Sequence, residues 1–210
     1  MTSARDTVLG RVRDALALAP TPATAVPRGY GTGRTLPDGE RLALFTDRLV
    51  DYKAEVHPCT ADRTAQVVAG VLRDHGARRI GVPAGLDPRW LDAYDGEVRP
   101  DTADIPARQL DALDAVVTAS AAGCAETGTI FLDGSSGQGR RALSLVPDLH
   151  LCVVDLSAVA AGVPEAVARL VPERPTTLIS GPSATSDIEL ERVEGVHGPR
   201  RLVVVIRTDR

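Results

Sequence analysis

Three polar segments, far apart in the chain, hold the residue types that chemistry needs. The first is Glu126-Thr127-Gly128-Thr129, a carboxylate beside a glycine turn. Such a carboxylate suits a base, a nucleophile or a ligand hook; the plainer reading has Glu126 capping or ion-pairing and the two threonines satisfying turn backbone. The second is the glycine- and serine-rich stretch Gly134 to Gly139 running into Arg140 and Arg141. Paired guanidinium groups clamp carboxylates and phosphates, while ion pairing with Asp133 or Asp148 is the plainer role.

The third segment runs from Ser180 to Pro199. Gly181 lets backbone approach a ligand, and Ser183, Thr185 and Ser186 offer hydroxyls. Ser186 and Glu189 match a capping box, which starts a helix with N–H groups aimed at an anion. Asp187 and Glu189 add negative charge, so the segment is not purely a phosphate site. His197 stands between Gly195 and Gly198, an imidazole suited to proton transfer near neutrality or to holding turn backbone. Glu126 and His197 are the best catalytic candidates. The expected ligand-binding residues are Thr127, Gly128, Thr129, Arg140, Arg141, Gly181, Ser183, Thr185, Asp187 and Glu189.

Composition excludes several classes. With 24 Lys and Arg against 28 Asp and Glu, net charge −4 and 3% aromatics, there is no basic stripe interleaved with aromatic platforms, so nucleic acid is not expected. Cys59, Cys124 and Cys152 lie far apart, lacking the close spacing of an iron–sulfur or zinc site, and read as isolated buried thiols. No metal site is expected. The Gly134–Gly139 loop is neither a Walker A nor a GxGxxG pattern. No apolar run reaches membrane-spanning length and the N-terminus has no signal-peptide core, which points to the cytoplasm.

The elements that must position these segments alternate. An amphipathic helix over Ser3 to Leu18 is followed by a Pro- and Gly-rich arm, so residues 1–40 read as a helical arm and 41–210 as a single α/β domain. Arg28 and Tyr30 in the arm either cross the domain surface or reach a ligand or neighbouring subunit. Helices are expected over Glu40 to Tyr52, Asp62 to His75 and Ser157 to Leu170, with another carrying Arg140 and Arg141. Strands are expected at AEVHPC, RRIGVPA, AVVTAS, TIFLD, DLHLCVVDL, TTLIS and RLVVVI, with AAGCAE as a short helical turn. Trp90 is expected to pack a helix on the sheet, and His150 to be an ordinary buried or capping histidine. This alternation predicts a mostly parallel, Rossmann-like sheet with helices on its faces. Ser180 to Pro199 would then follow a buried strand at the sheet's carboxyl edge, where ligands bind, and all three polar segments would share one pocket.

Four blocks in order, AETGT, GRRALSLVPDLHLCVV, SGPSATSDIE and GVHGPRRLVVVI, together with VPRGY in the arm, resemble the LUD domain, lactate utilization protein C (LutC/YkgG) family. The resemblance implies a three-layer α/β/α fold of the NagB/RpiA/CoA-transferase-like type. It also implies a subunit of an L-lactate oxidation system that acts with partner proteins, one carrying the iron–sulfur clusters; because its own cysteines are too far apart for such clusters, this chain is expected to be non-redox, to bind no cofactor itself and to bind a small anionic ligand. Relatives on the wider fold bind sugar phosphates, CoA thioesters or folates, and in the CoA transferases a glutamate is the nucleophile; Glu126 is the nearest candidate for that role. The alternatives are a free-standing transferase, hydrolase or isomerase acting on a phosphorylated or CoA-linked metabolite, and a scaffold whose polar blocks form an interface.

Overall fold

The computed structural model describes residues 3–18, 25–27, 29, 33–185, 193–194 and 198–209. Met1–Gly31 and Thr32–Arg210 form two compact units. In the first, α1 (Ala4–Leu18) buries none of its residues. Its start is capped by Ser3, whose Oγ accepts from the Asp6 N–H and donates to the Asp6 carboxylate.

The second unit is built on a six-stranded sheet in the order β1 (Glu55–Cys59), β12 (Arg201–Arg207), β7 (Leu149–Asp155), β4 (Ala115–Ala119), β2 (Arg79–Val82) and β3 (Glu97–Pro100). Every pairing within it is parallel. Strands buried on both faces need continuous apolar runs, and β7 and β12 supply them: six residues of β7 and five of β12 are buried. Alternation along β7 divides the core. Leu149, Leu151 and Val153 pack with Val68, Val71 and Leu72 of α3 (Thr64–Asp74) on one face. Cys152 and Val154 pack with Phe45 and Leu49 of α2 (Asp38–Asp51) on the other.

That second face also carries a four-stranded sheet, ordered β8 (Val159–Ala160), β5 (Ala122–Cys124), β6 (Thr129–Leu132) and β9 (Thr177–Ile179). It was not legible from the sequence. Ala122–Cys124, expected as a helical turn, pairs antiparallel with β6. Ala and Gly are weak strand formers, and Gly123 is closely packed, since an added Cβ would lie 3.0 Å from Val159 and 3.3 Å from Phe45. The helix expected over Ser157 to Leu170 is instead β8 followed by α6 (Val163–Val167), which begins where Pro164 supplies a first-turn proline. TTLIS is not a buried parallel strand. β9 lies on the edge of the second sheet, antiparallel to β6, with Leu178 63% exposed.

Two short helices complete this unit. α4 (Ala107–Leu110) and α5 (Arg141–Leu145) place Leu110 and Leu143 against Val116 of β4. β10 (Ala184–Thr185) and β11 (Val193–Glu194) form an antiparallel pair of their own. The mixed α/β class with a parallel central sheet is as expected.

Candidate functional site

The connections of the parallel sheet define a crevice. The chain leaves β2 along the α3 face, where Trp90, Leu91 and Tyr94 pack on its way to β3. It leaves β4 along the opposite face, where β6 puts Ile130 and Leu132. β2 and β4 are neighbours, so their carboxyl ends part at a switch point, the place where open parallel sheets bind ligands.

The Gly134–Gly139 loop spans that crevice. Gly85, just past β2, donates its N–H to the Ser136 carbonyl (3.0 Å), and Ala119 at the end of β4 donates to the Gly137 carbonyl (2.8 Å). Gly85 is sterically required, since an added Cβ would sit 2.7 Å from the Ser136 carbonyl carbon. The loop is held from beneath by Gln138, 3% exposed, whose Oε1 accepts from the Asp133 and Gly134 N–H groups. Gly134 and Gly139 adopt φ of +70° and +72°, open to glycine at little cost.

Beside the loop lies a cleft of about 530 Å³, lined by Asp101, Ser135, Ser136, Arg140, Arg141 and Ser144 among others. Its charges are unevenly committed. Arg140 grips Asp101 through Nε and Nη2 and also donates to the Ile105 carbonyl. Burial alone would raise the Asp133 carboxyl, but Arg174 at 2.9 Å and Ser135 hold it below the usual range. Arg141 begins α5, is exposed, and pairs with no described residue. The cleft therefore offers one uncommitted guanidinium; of the hydroxyls that line it, Thr102 donates to Asp104, Ser135 to Asp133 and Thr176 to the Arg174 carbonyl, while Ser136 makes no such bond among the described residues. A guanidinium among hydroxyls is suited to a carboxylate or phosphate.

A second cleft, of about 230 Å³, opens at the amino ends of β7 and β12 and shares Ser144 and Thr177 with the first. Gly181, Pro182 and Ser183 line it, with Gly181 at φ +85° and the Ser183 N–H donating to the Pro199 carbonyl (2.8 Å). The Gly-Pro-Ser turn is thus not at the carboxyl edge of the parallel sheet, because the strand before it, β9, belongs to the other sheet. The expected single pocket is two adjoining clefts, and Glu126 lines neither.

The remaining expected residues fall as follows. Glu126 accepts from Arg34 Nη1 (3.2 Å), both side chains about half exposed. Thr127, Thr129 and Ser180 form a hydroxyl chain, with contacts of 2.7 and 2.9 Å. Gly128, at φ +60°, lets the β5–β6 turn approach Arg48. Thr185 ends β10. Arg28, Tyr30, Ser186, Asp187, Glu189 and His197 lie outside the described residues.

Sequence reasoning missed Asp101, Gly85 and Gln138, which fix the loop and Arg140. The one signal was VPAG, a glycine directly after an apolar run. Cys124 and Cys152 are buried, whereas Cys59 is half-buried at the end of β1. Trp90 packs against the core, with Arg207 5.5 Å over its ring. Among the described residues no three His, Cys, Asp or Glu side chains are grouped as a metal would need. No described helix is long and apolar enough to cross a membrane.

The family described as LUD domain matches residues 42–206. A protein of Deinococcus radiodurans named lactate utilization protein C is 47% identical over 182 residues, covering 84% of each chain. One of the same name from Halalkalibacterium halodurans is 24% identical over 186 residues, covering 80% of this chain and 79% of its own. A crystal structure of a DUF162 family protein from Deinococcus radiodurans superposes with a TM-score of 0.71 at 40% identity, covering 82% of this chain and 99% of that one.

Proposed function

The chain belongs to the LUD domain family, and on that premise we propose that it serves in lactate utilization. In this reading it is a subunit that supports oxidation of L-lactate to pyruvate beside iron–sulfur partner proteins. The observation that carries the role is the relative named lactate utilization protein C, 47% identical over most of both chains. The observation that carries ligand binding is Arg141, uncommitted in a cleft at the switch point of a parallel sheet.

The ligand is a small carboxylate. Arg140 and Arg174 are neutralised by Asp101 and Asp133, so the guanidinium of Arg141 is the cation left to meet an incoming anion. Ser136, which lines the same cleft, supplies a further hydroxyl donor. Electron transfer falls to the partners, a division supported by the cysteines: Cys152 lies within the parallel sheet, Cys124 within the smaller one, and Cys59 at the end of β1. The test is a strain deleted for this chain and grown on L-lactate as sole carbon source. Loss of growth, restored by the wild-type gene and not by Arg141→Gln, is expected; normal growth of the deletion strain refutes the role.

A further inference from the structure

The outer edge of β3 is bare. This strand ends the six-stranded sheet, pairs with β2 alone, and has all four of its residues, Glu97-Val98-Arg99-Pro100, exposed. The Glu97 and Asp101 N–H groups point inward, donating to the Arg78 and Val82 carbonyls at 2.7 and 2.8 Å. Backbone groups alternate in direction along a strand, so the N–H and carbonyl of Val98 point outward, where no described strand meets them. Pro100 also points outward and has no N–H to offer. Arg99 stands opposite Gly81, whose missing Cβ would meet Leu113 and Leu143. Glu97 and Arg99 therefore share the face that α4 and α5 cover, and Arg99 borders an apolar groove of about 280 Å³ lined by Ile105, Leu110, Leu113 and Leu143 among others. The two charges ion-pair along the strand at 2.7 Å, each about half exposed. At the opposite edge of the sheet β1 has the same order, Glu55-Val56-His57-Pro58, but His57 and His75 share the Glu55 carboxylate there and three of its five residues are partly buried.

We propose that β3 is the docking edge for a second copy of this chain, joined antiparallel across a two-fold axis at Val98. The strand is complementary to itself in that register. Val98 faces the partner's Val98, and each gives its outward N–H to the other's carbonyl. Glu97 then faces the partner's Arg99, and Arg99 the partner's Glu97, at the non-hydrogen-bonded positions where opposed side chains come closest. Two carboxylates and two guanidinium groups close a neutral ring beside the apolar groove. A slip of two residues one way sets Glu97 against the partner's Glu97, and a slip the other way sets Arg99 against the partner's Arg99, so like charges exclude both. Charged residues and a proline blunt an edge against indiscriminate pairing; here they leave this one register open. The two-fold is closed, so pairing stops at the dimer. So short a contact belongs with weak, transient interfaces.

The test is analytical ultracentrifugation of the full chain over a ~100-fold range of concentration. Wild type should move from monomer toward dimer as concentration rises. Val98→Pro removes the outward N–H without touching the ladder to β2, a place where edge strands tolerate proline, and should stay monomeric. Arg99→Glu and Glu97→Arg each set four like charges across the axis and should be monomeric alone. Their equimolar mixture should dimerise, because an all-acidic strand then faces an all-basic one. Glu97→Arg combined with Arg99→Glu restores the pairing and should dimerise as the wild type does. A wild type that stays monomeric throughout overturns the proposal and leaves the edge to a different protein's strand. A dimer that survives Val98→Pro, or two charge variants that stay apart on mixing, overturns it as well. If Val98→Pro does not fold, the mixing of the charge variants decides.

Discussion

The Arg140 guanidinium meets the Asp101 carboxylate in a forked contact, with Nε to Oδ2 and Nη2 to Oδ1 both at 2.8 Å. Asp101 is 4% exposed and Arg140 31%, so the pair is a structural tie between the end of β3 and the start of α5. Arg141, its neighbour in sequence, has no such tie. Arg140→Ala should therefore lower unfolding stability by about 2 kcal/mol, a buried carboxylate having lost its partner, discounted for the solvent reaching Arg140. Arg141→Gln should change stability by less than about 0.5 kcal/mol. Urea unfolding of both variants checks the contrast.

Gly85 and Ser136 touch backbone to backbone. Gly85→Ala should push the Gly134–Gly139 loop off the crevice at a cost of about 1–3 kcal/mol. Binding of L-lactate should weaken although no ligand-contacting side chain is altered. A variant that binds as the wild type does would show that the loop does not shape the site.

Glu126 pairs with Arg34 at the surface and lines neither cleft. Glu126→Gln should leave L-lactate binding unchanged and stability within about 0.5 kcal/mol. Thr129→Val, by contrast, removes the middle of the Thr127–Thr129–Ser180 chain and should destabilise by about 1–2 kcal/mol. Thermal melts with matched calorimetric titrations separate the two.

His150 gives the stability curve a defined acid limb. Its ordinary value is 6.5, and burial takes it down to about 4 in the folded chain. Between those pH values the unfolded state binds the extra proton, so stability is full above pH 6.5 and falls as pH drops toward 4. The loss at the low end is roughly 3 kcal/mol. His150→Phe removes this titration, so unfolding measured at both ends of the window should show the wild type losing more stability than the variant.

The parallel sheet was legible because its central strands, β7 and β12, are covered on both faces and read as unbroken apolar runs. The second sheet was not, because β5 is Ala-Gly-Cys and β8 and β9 have two and three residues. Short strands in a covering layer carry too little periodicity to register. At the site, Arg140 and Arg141 stood out as a cationic pair, but their division of labour depends on Asp101, 39 residues earlier. The Thr118–His150 contact of 2.8 Å depends on β4 and β7 lying side by side with Thr118 opposite Cys152. That register is a property of the folded sheet.

The central claim, that the cleft at the β2–β4 switch point holds a small carboxylate on Arg141, meets its most direct test in calorimetric titration of the purified chain with L-lactate. Wild type should show saturable one-site binding, and Arg141→Gln should lose it while melting at the same temperature. Binding that persists in Arg141→Gln, or a wild-type chain that never saturates, would contradict the account.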